Sequence, residues 1–187
     1  NVGLITTGQG SKTWACTGIF LTPSLFLTNY HCGAAEDYVV AGTAGMVWSD
    51  PVCKNTVIDL GWDYLFKDHQ MQNLGDRERE FLCRGVPVKE PSLDIALLRV
   101  KPVDLKNTAA GVVLASSPGG EGKAIILIHH PLAQSKKISI AHCRILNSLY
   151  TSSTQMSPDV EFTHLCDTER SSSGGAIFNY EGELVGI

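Results

Sequence analysis

The sequence predicts an all-β protein, a sandwich or barrel built as two β-rich halves, and three observations carry that expectation. Short apolar segments rich in β-branched and aromatic residues recur along the 187 residues, with Gly, Pro, Asn, Asp and Ser between them. Helical periodicity is scarce. The stretch KPVDLKNTAAGVVLASSPGG, from Lys101 onward, sets Pro, Asn and Gly between two groups of such segments and marks the boundary between the halves. Residues 1–107 form the first half and 108–187 the second.

In chain order, strands are expected at 3–7, 13–21, 25–28, 38–41, 56–60 and 95–100, each a run of apolar and β-branched residues ending in turn formers. The second half repeats the pattern at 123–129, 137–145, 160–164, 175–179 and 184–187. Two helical hints interrupt it, a turn at 31–35 and the segment 71–81, whose apolar positions are sparse for a packed helix.

Composition excludes several function classes. A net charge of −4, with no basic run longer than Lys136-Lys137, lacks the clustered cations a nucleic-acid binder sets against phosphates. The most apolar stretch, AIILIHH from Ala124, is far short of the ~20 residues a membrane helix needs, so no membrane contact is expected. No charged-then-apolar leader opens the chain, and any export signal is expected to have been removed. Six cysteines, at 16, 32, 53, 83, 143 and 166, have no CxxC spacing, which argues against zinc and for three disulfides in an oxidising compartment, secreted or periplasmic. Six cysteines allow about 15 connectivities. Cys16 and Cys32 end two apolar segments joined by a turn, which favours sequential pairing, 16 with 32, 53 with 83 and 143 with 166. Buried free thiols in a cytosolic protein are the alternative.

Three local signatures bear on chemistry: LTNYHC at 27–32, SLDIALLRV at 92–100 and CDTERSSSGGAIF at 166–178. Singly, each has a plain structural explanation. His31 suits a capping position, Asp94 closes the loop begun by Pro91, and Ser173 fits a Ser/Gly turn. Together they supply what nucleophilic acyl transfer requires, a weakly acidic hydroxyl, a base for its proton and a carboxylate to fix the base's tautomer. Gly174 and Gly175 permit a sharp turn and close approach of a substrate carbonyl to backbone N–H groups.

The set resembles the chymotrypsin-fold (trypsin-like) serine proteases, in which TNYHC matches the histidine motif, DIALL the aspartate motif and SSSGG the G-D-S-G-G nucleophile motif. The histidine motif also sits with Cys16 and Cys32 where that family places its histidine-loop disulfide. CDTE and IHHPLAQSKKIS are similar to segments of the glutamyl-endopeptidase-like, mainly bacterial branch. His129 and His130, within the latter, are read as a strand ending in a Pro turn before another strand, with no catalytic role. The resemblance implies two six-stranded antiparallel Greek-key barrels in one protease domain, the active site between them. It implies catalytic His31, Asp94 and Ser173, an oxyanion hole from the N–H groups of Ser171 and Ser173, a protein or peptide substrate, and neither metal nor cofactor.

Four departures from the family pattern matter. Ser172 replaces the aspartate before the nucleophile, so the switch in which a freed N-terminal amine pairs with that aspartate is absent. Ser171 replaces a glycine, and a positive φ there would cost about 1–3 kcal/mol. His31 and Asp94 are 63 positions apart, longer than usual, with Cys53 and Cys83 bracketing most of the surplus. Residues 48–80 are accordingly read as a disulfide-tied surface excursion near the cleft, its charges solvated, and the 50–90 region as a place where an inhibitor or partner protein would bind. Only 14 residues follow Ser173. The family continues with a substrate-pairing strand, a barrel strand and a C-terminal helix, so the second barrel is expected to be incomplete here.

Asp167 and Thr168 are the substrate-binding candidates. Asp167 stands where trypsin-like members bind Lys or Arg, whereas the glutamyl branch uses the position of Thr168 for acidic side chains, and both P1 preferences remain open. The function expected is a serine endopeptidase acting through an acyl-enzyme. A catalytically silent or zymogen-like homologue serving as a binding module is the alternative, and an esterase on the same residues a third.

Overall fold

A computed structural model describes residues 1–34, 47–67, 70–74, 79–117, 119–150 and 161–187. In the first half the strands are β1 (Val2–Gln9), β2 (Lys12–Thr22), β3 (Leu25–Asn29), β4 (Val57–Asp59), β5 (Asp63–Lys67), β6 (Gln70–Leu74), β7 (Glu80–Glu90) and β8 (Ile95–Pro102). Six of them close an antiparallel barrel in the order β1-β2-β3-β8-β7-β4. Closure follows from the two-residue alternation of each strand, which turns Ile5, Phe20, Phe26, Ile58, Phe81 and Leu98 inward. Phe20 packs edge-on against Phe26 at 5.0 Å and tilts onto Phe81 at 4.7 Å. Each such ring or branched chain stabilises the fold by about 1.5–3 kcal/mol through removal from water.

The second half contains β9 (Ile126–His129), β10 (Lys137–Ser139), β11 (Ile145–Tyr150), β12 (Glu161–His164), β13 (Ala176–Phe178) and β14 (Leu184–Gly186). Among the described residues these form an antiparallel sheet β10-β9-β13-β14 and a ribbon β11-β12. Ile125, Leu127, Ile145 and Ile177 make its core. A third apolar cluster, with Val2, Ile19, Ala176 and Leu184 buried and Leu27 and Ile128 packed on it, joins the halves. The all-β expectation holds, and so does sequential disulfide pairing: Cys16–Cys32, Cys53–Cys83 and Cys143–Cys166 are bonded.

Three expectations need correction. The described residues of 71–81 are not helical; they contribute to β6 and the start of β7, because a few apolar residues suit pairing better than a helical stripe. Residues 48–80 are not simply a surface excursion. Trp48, Val52, Ile58 and Leu60 are buried in the barrel core, the helix α1 (Asp50–Lys54) presses Val52 and Cys53 onto it, and β4 and β7 complete the barrel wall. The part outside that wall is the hairpin β5–β6, paired from Asp63↔Leu74 to Lys67↔Gln70. Finally, 137–145 is not one strand, since β10 stops at Ser139 and His142 turns the chain at φ +57° before β11. The strand expected at 38–41 lies outside the described residues, and the turn at 31–35 corresponds to a 3-10 turn at Tyr30–Gly33.

Candidate active site

β3 and β8 are paired to their ends, Asn29 opposite Ile95, so the residues just beyond them meet. His31 lies in the turn after β3 and Asp94 closes the 3-10 turn Pro91–Leu93 before β8, with φ +52° and ψ +40°. One carboxylate oxygen of Asp94 accepts the His31 backbone N–H at 2.9 Å, and the other lies 2.7 Å from His31 Nδ1. A carboxylate only accepts, so Nδ1 carries the proton and Nε2 keeps its lone pair, the tautomer a general base needs. The Asp94 carbonyl takes two more donors, the Tyr30 N–H at 2.8 Å and the Asn29 side-chain amide at 3.0 Å. The imidazole is 41% exposed, open to a substrate.

Ser173 is brought to the same edge from the second half. Its carbonyl accepts the Thr17 N–H at 2.8 Å, and Sγ of Cys32, next to His31, lies 3.9 Å from that oxygen. The two glycines after it are required by space. A Cβ on Gly174, at φ +80°, would lie 2.0 Å from the Thr17 carbonyl oxygen and 2.7 Å from Thr28 Oγ1; one on Gly175 would lie 2.8 Å from the Ser172 carbonyl oxygen. Ser171 adopts φ +69°, the left-handed conformation its usual glycine would take freely, and its carbonyl accepts the Thr17 hydroxyl at 2.8 Å.

His129, read from the sequence as part of a strand with no catalytic role, comes close to the serine turn. Its signal was an inward phase in β9, where Leu127 and His129 are buried while Ile126 and Ile128 are less so. The ring sits beside the turn that carries Ser173, Nδ1 2.7 Å from Ser172 Oγ and Nε2 3.3 Å from Ser139 Oγ. Burial lowers its pKa, Asp167 opposes that shift and His164 adds to it. His130, wholly buried, is pushed down to about 4, mainly by desolvation. Asp167 and Thr168 are both exposed beside the Cys143–Cys166 bridge, and the Asp167 carbonyl lies 3.4 Å from Ser139 Oγ.

A cleft of about 490 Å³ lies against the first barrel, lined by Trp14, Ala15, Asp59, Trp62 and Glu80 among others, with Ala133 and Ser171 from the second half at its side. Segment 60–63 is stapled to the turn after β9: the Trp62 indole donates to the Ala133 carbonyl at 3.0 Å, and Lys136 Nζ pairs with Asp63 at 3.0 Å. Burial, reinforced by Glu80 and Asp63, raises the pKa of Asp59 while the Gly61 N–H opposes it. Cys16, His31 and Cys32 place metal-type donors within 4.8 Å of one another, but both sulfurs are in the disulfide and Nδ1 is on Asp94, so they do not form a thiolate site.

A closed antiparallel barrel carrying a histidine–carboxylate pair, with a glycine-backed serine turn docked onto it from a second β unit, defines the class as a chymotrypsin-fold serine protease. Residues 16–187 match the model of the trypsin-like peptidase domain, and the chain belongs to that family of peptidases. Solved structures share the fold at low identity. The active form of the Rv3671c protease from M. tuberculosis is 21% identical with a TM-score of 0.64, over 99% of this chain and 67% of that one. An inactive-form mutant of the same protease, strain H37Rv, is 22% identical with a TM-score of 0.64, over 100% and 75%. The HtrA-type protease AlgW with tripeptide is 18% identical with a TM-score of 0.66, over 100% and 49%. No curated protein matches the sequence. Three disulfides fit an oxidising compartment, and among the described residues no helix is long and apolar enough to cross a membrane.

Proposed function

We propose that this chain is a secreted or periplasmic serine endopeptidase, one protease domain whose halves, 1–107 and 108–187, meet at the site, and whose motifs place it nearest the glutamyl-endopeptidase-like branch. Ser173 Oγ attacks the scissile carbonyl of a protein or peptide as His31 Nε2 takes its proton, and His31 then protonates the leaving amine. Asp94 holds the ring and stabilises the imidazolium. The N–H groups of Ser171 and Ser173 receive the oxyanion, and water releases the acyl group by the reverse sequence. Asp167 and Thr168 contact the substrate, and the Trp62 side of the cleft receives the chain beyond the scissile bond. The observation that carries this reading is the two-point grip of Asp94 on His31, which leaves Nε2 as the basic nitrogen.

The test is covalent labelling with a fluorophosphonate, read by peptide mass. A single adduct on Ser173, lost in Ser173→Ala and in His31→Ala, is expected, with peptide hydrolysis falling by about 10⁴-fold or more in either variant. Peptidase activity surviving in Ser173→Ala, or a folded chain that takes no label, would overturn it and favour the binding-module reading. A peptide library then decides between basic and acidic P1.

A further inference from the structure

We propose that His129 is the positioning residue of the nucleophile turn, holding it from beneath through the Ser172 hydroxyl and letting go when the ring takes up a second proton. The inference rests on the serine-endopeptidase reading and adds to it a control of the oxyanion donors. Ser172 stands between the two N–H groups assigned to that hole, so whatever fixes Ser172 fixes both.

The contacts favour one set of protons. The Glu169 N–H donates to Ser172 Oγ at 3.1 Å, and Ser172 Oγ lies 2.7 Å from His129 Nδ1. At the other side of the ring, Nε2 is 3.3 Å from Ser139 Oγ, which donates to the Asp167 carbonyl at 3.4 Å. A carbonyl only accepts, so the Ser139 proton goes to Asp167 and Ser139 Oγ accepts from an Nε2–H. Nδ1 is then bare and accepts the Ser172 hydroxyl proton. The opposite tautomer leaves the Ser172 proton without an acceptor. Ser172 and His129 are both buried, where an unmet hydroxyl is costly.

Protonation of Nδ1 breaks this order. Ser172 Oγ would then face two donors, the Glu169 N–H and the Nδ1–H, while its own proton had no acceptor. The turn is fixed further by Ser172 N–H to the Glu169 carbonyl at 3.1 Å and Gly175 N–H to the Ser172 carbonyl at 2.7 Å, so it shifts as a unit. The charged and titratable groups around the ring are Asp167, which favours its cation, His164, which opposes it, the adjacent His130, and Lys137, directly across on β10. Burial outweighs Asp167 and keeps the ring neutral at pH 7. In this chain a neutral hydrogen bond thus does the holding that an aspartate's ion pair does in digestive proteases.

Two measurements test the proposal. Nitrogen-15 NMR of the Ser173→Ala chain should show neutral His129 as the Nε2–H tautomer at pH 7.5. The amide signals of residues 173 and 174 should move with the His129 titration while circular dichroism stays constant. An Nδ1–H tautomer, or amides blind to that titration, would overturn the proposal, and this readout stands even where the chain takes no label. The second measurement is the fluorophosphonate labelling rate of Ser173. Ser172→Ala and His129→Phe should each slow it about 10- to 100-fold, as displaced catalytic groups do. The double variant should be no slower than either single. His129→Asn, whose amide oxygen can stand in for Nδ1 without titrating, should recover to within about threefold of the parent. The acid limb of its labelling-rate pH profile should also be less steep than the parent's, having lost the His129 titration. Additive losses, or His129→Asn as slow as His129→Phe with both folded, would refute the positioning role.

Discussion

Ser171 and Gly174 both have positive φ, yet they differ in what surrounds them. Ser171 tolerates its side chain at a conformational cost of about 1–2 kcal/mol, partly offset by the Thr17 hydroxyl on its carbonyl. Ser171→Gly is therefore expected to change stability by less than about 1 kcal/mol, since relief of strain balances the added freedom of the unfolded chain. Gly174→Ala forces a methyl onto the Thr17 carbonyl and should cost about 3 kcal/mol or more, seen as a lowered urea midpoint. Equal effects at the two positions would contradict this account. The motif SSSGG was legible as a serine turn, but not which of its residues faces open space and which faces backbone, because the obstructing atoms come from β2 and β3.

At the scale of elements, the His31–Asp94 pair is a product of strand pairing. The register of β3 on β8 brings together residues 63 positions apart, and no local pattern encodes it. The same scale explains why the region between them was misread. A strand was expected at 56–60, but whether a strand lies outside a barrel or completes it depends on the partners on either side, and β4 and β7 have β1 and β8. The Cys53–Cys83 bridge ties α1 to β7 across 30 residues. Replacing both cysteines with alanine should cost about 3–4 kcal/mol by loop entropy, measured by denaturant unfolding. The Trp62 staple gives a functional counterpart. Trp62→Ala should raise KM for substrates extended beyond the scissile bond several-fold and leave short ester substrates nearly unchanged, as a steady-state comparison would show.

For the whole molecule, buried histidines tie stability to pH. His130 is neutral in the fold, and its Nδ1–H donates to the Gln134 carbonyl at 3.0 Å. Its folded pKa, about 4, lies below the unfolded value of 6.5. Protons then bind the unfolded chain more readily, so the stability present above pH 6.5 is lost as pH falls toward 4. The full difference amounts to about 3 kcal/mol. His129 and His164, also lowered by burial, act in the same direction. Urea unfolding at pH 7.5 and pH 4 should show the loss, and a non-titrating His130→Gln variant should show a smaller one. A stability profile flat from pH 7.5 to 4 would contradict the burial argument.

What the sequence by itself determined was the class of the fold and the residue types of the candidate site; it favoured the sequential disulfide pairing that the structure then showed. Those depend on local alternation, on cysteine positions and on motifs whose chemistry is carried by a few adjacent residues. Only the tertiary structure decided that β4 and β7 wall the barrel, that Ser171 sits at φ +69°, and that His129 lies beneath Ser172. Each of these depends on atoms distant in sequence meeting in space. A histidine in an inward strand position reads as one more core residue until the hydroxyl opposite its ring is known.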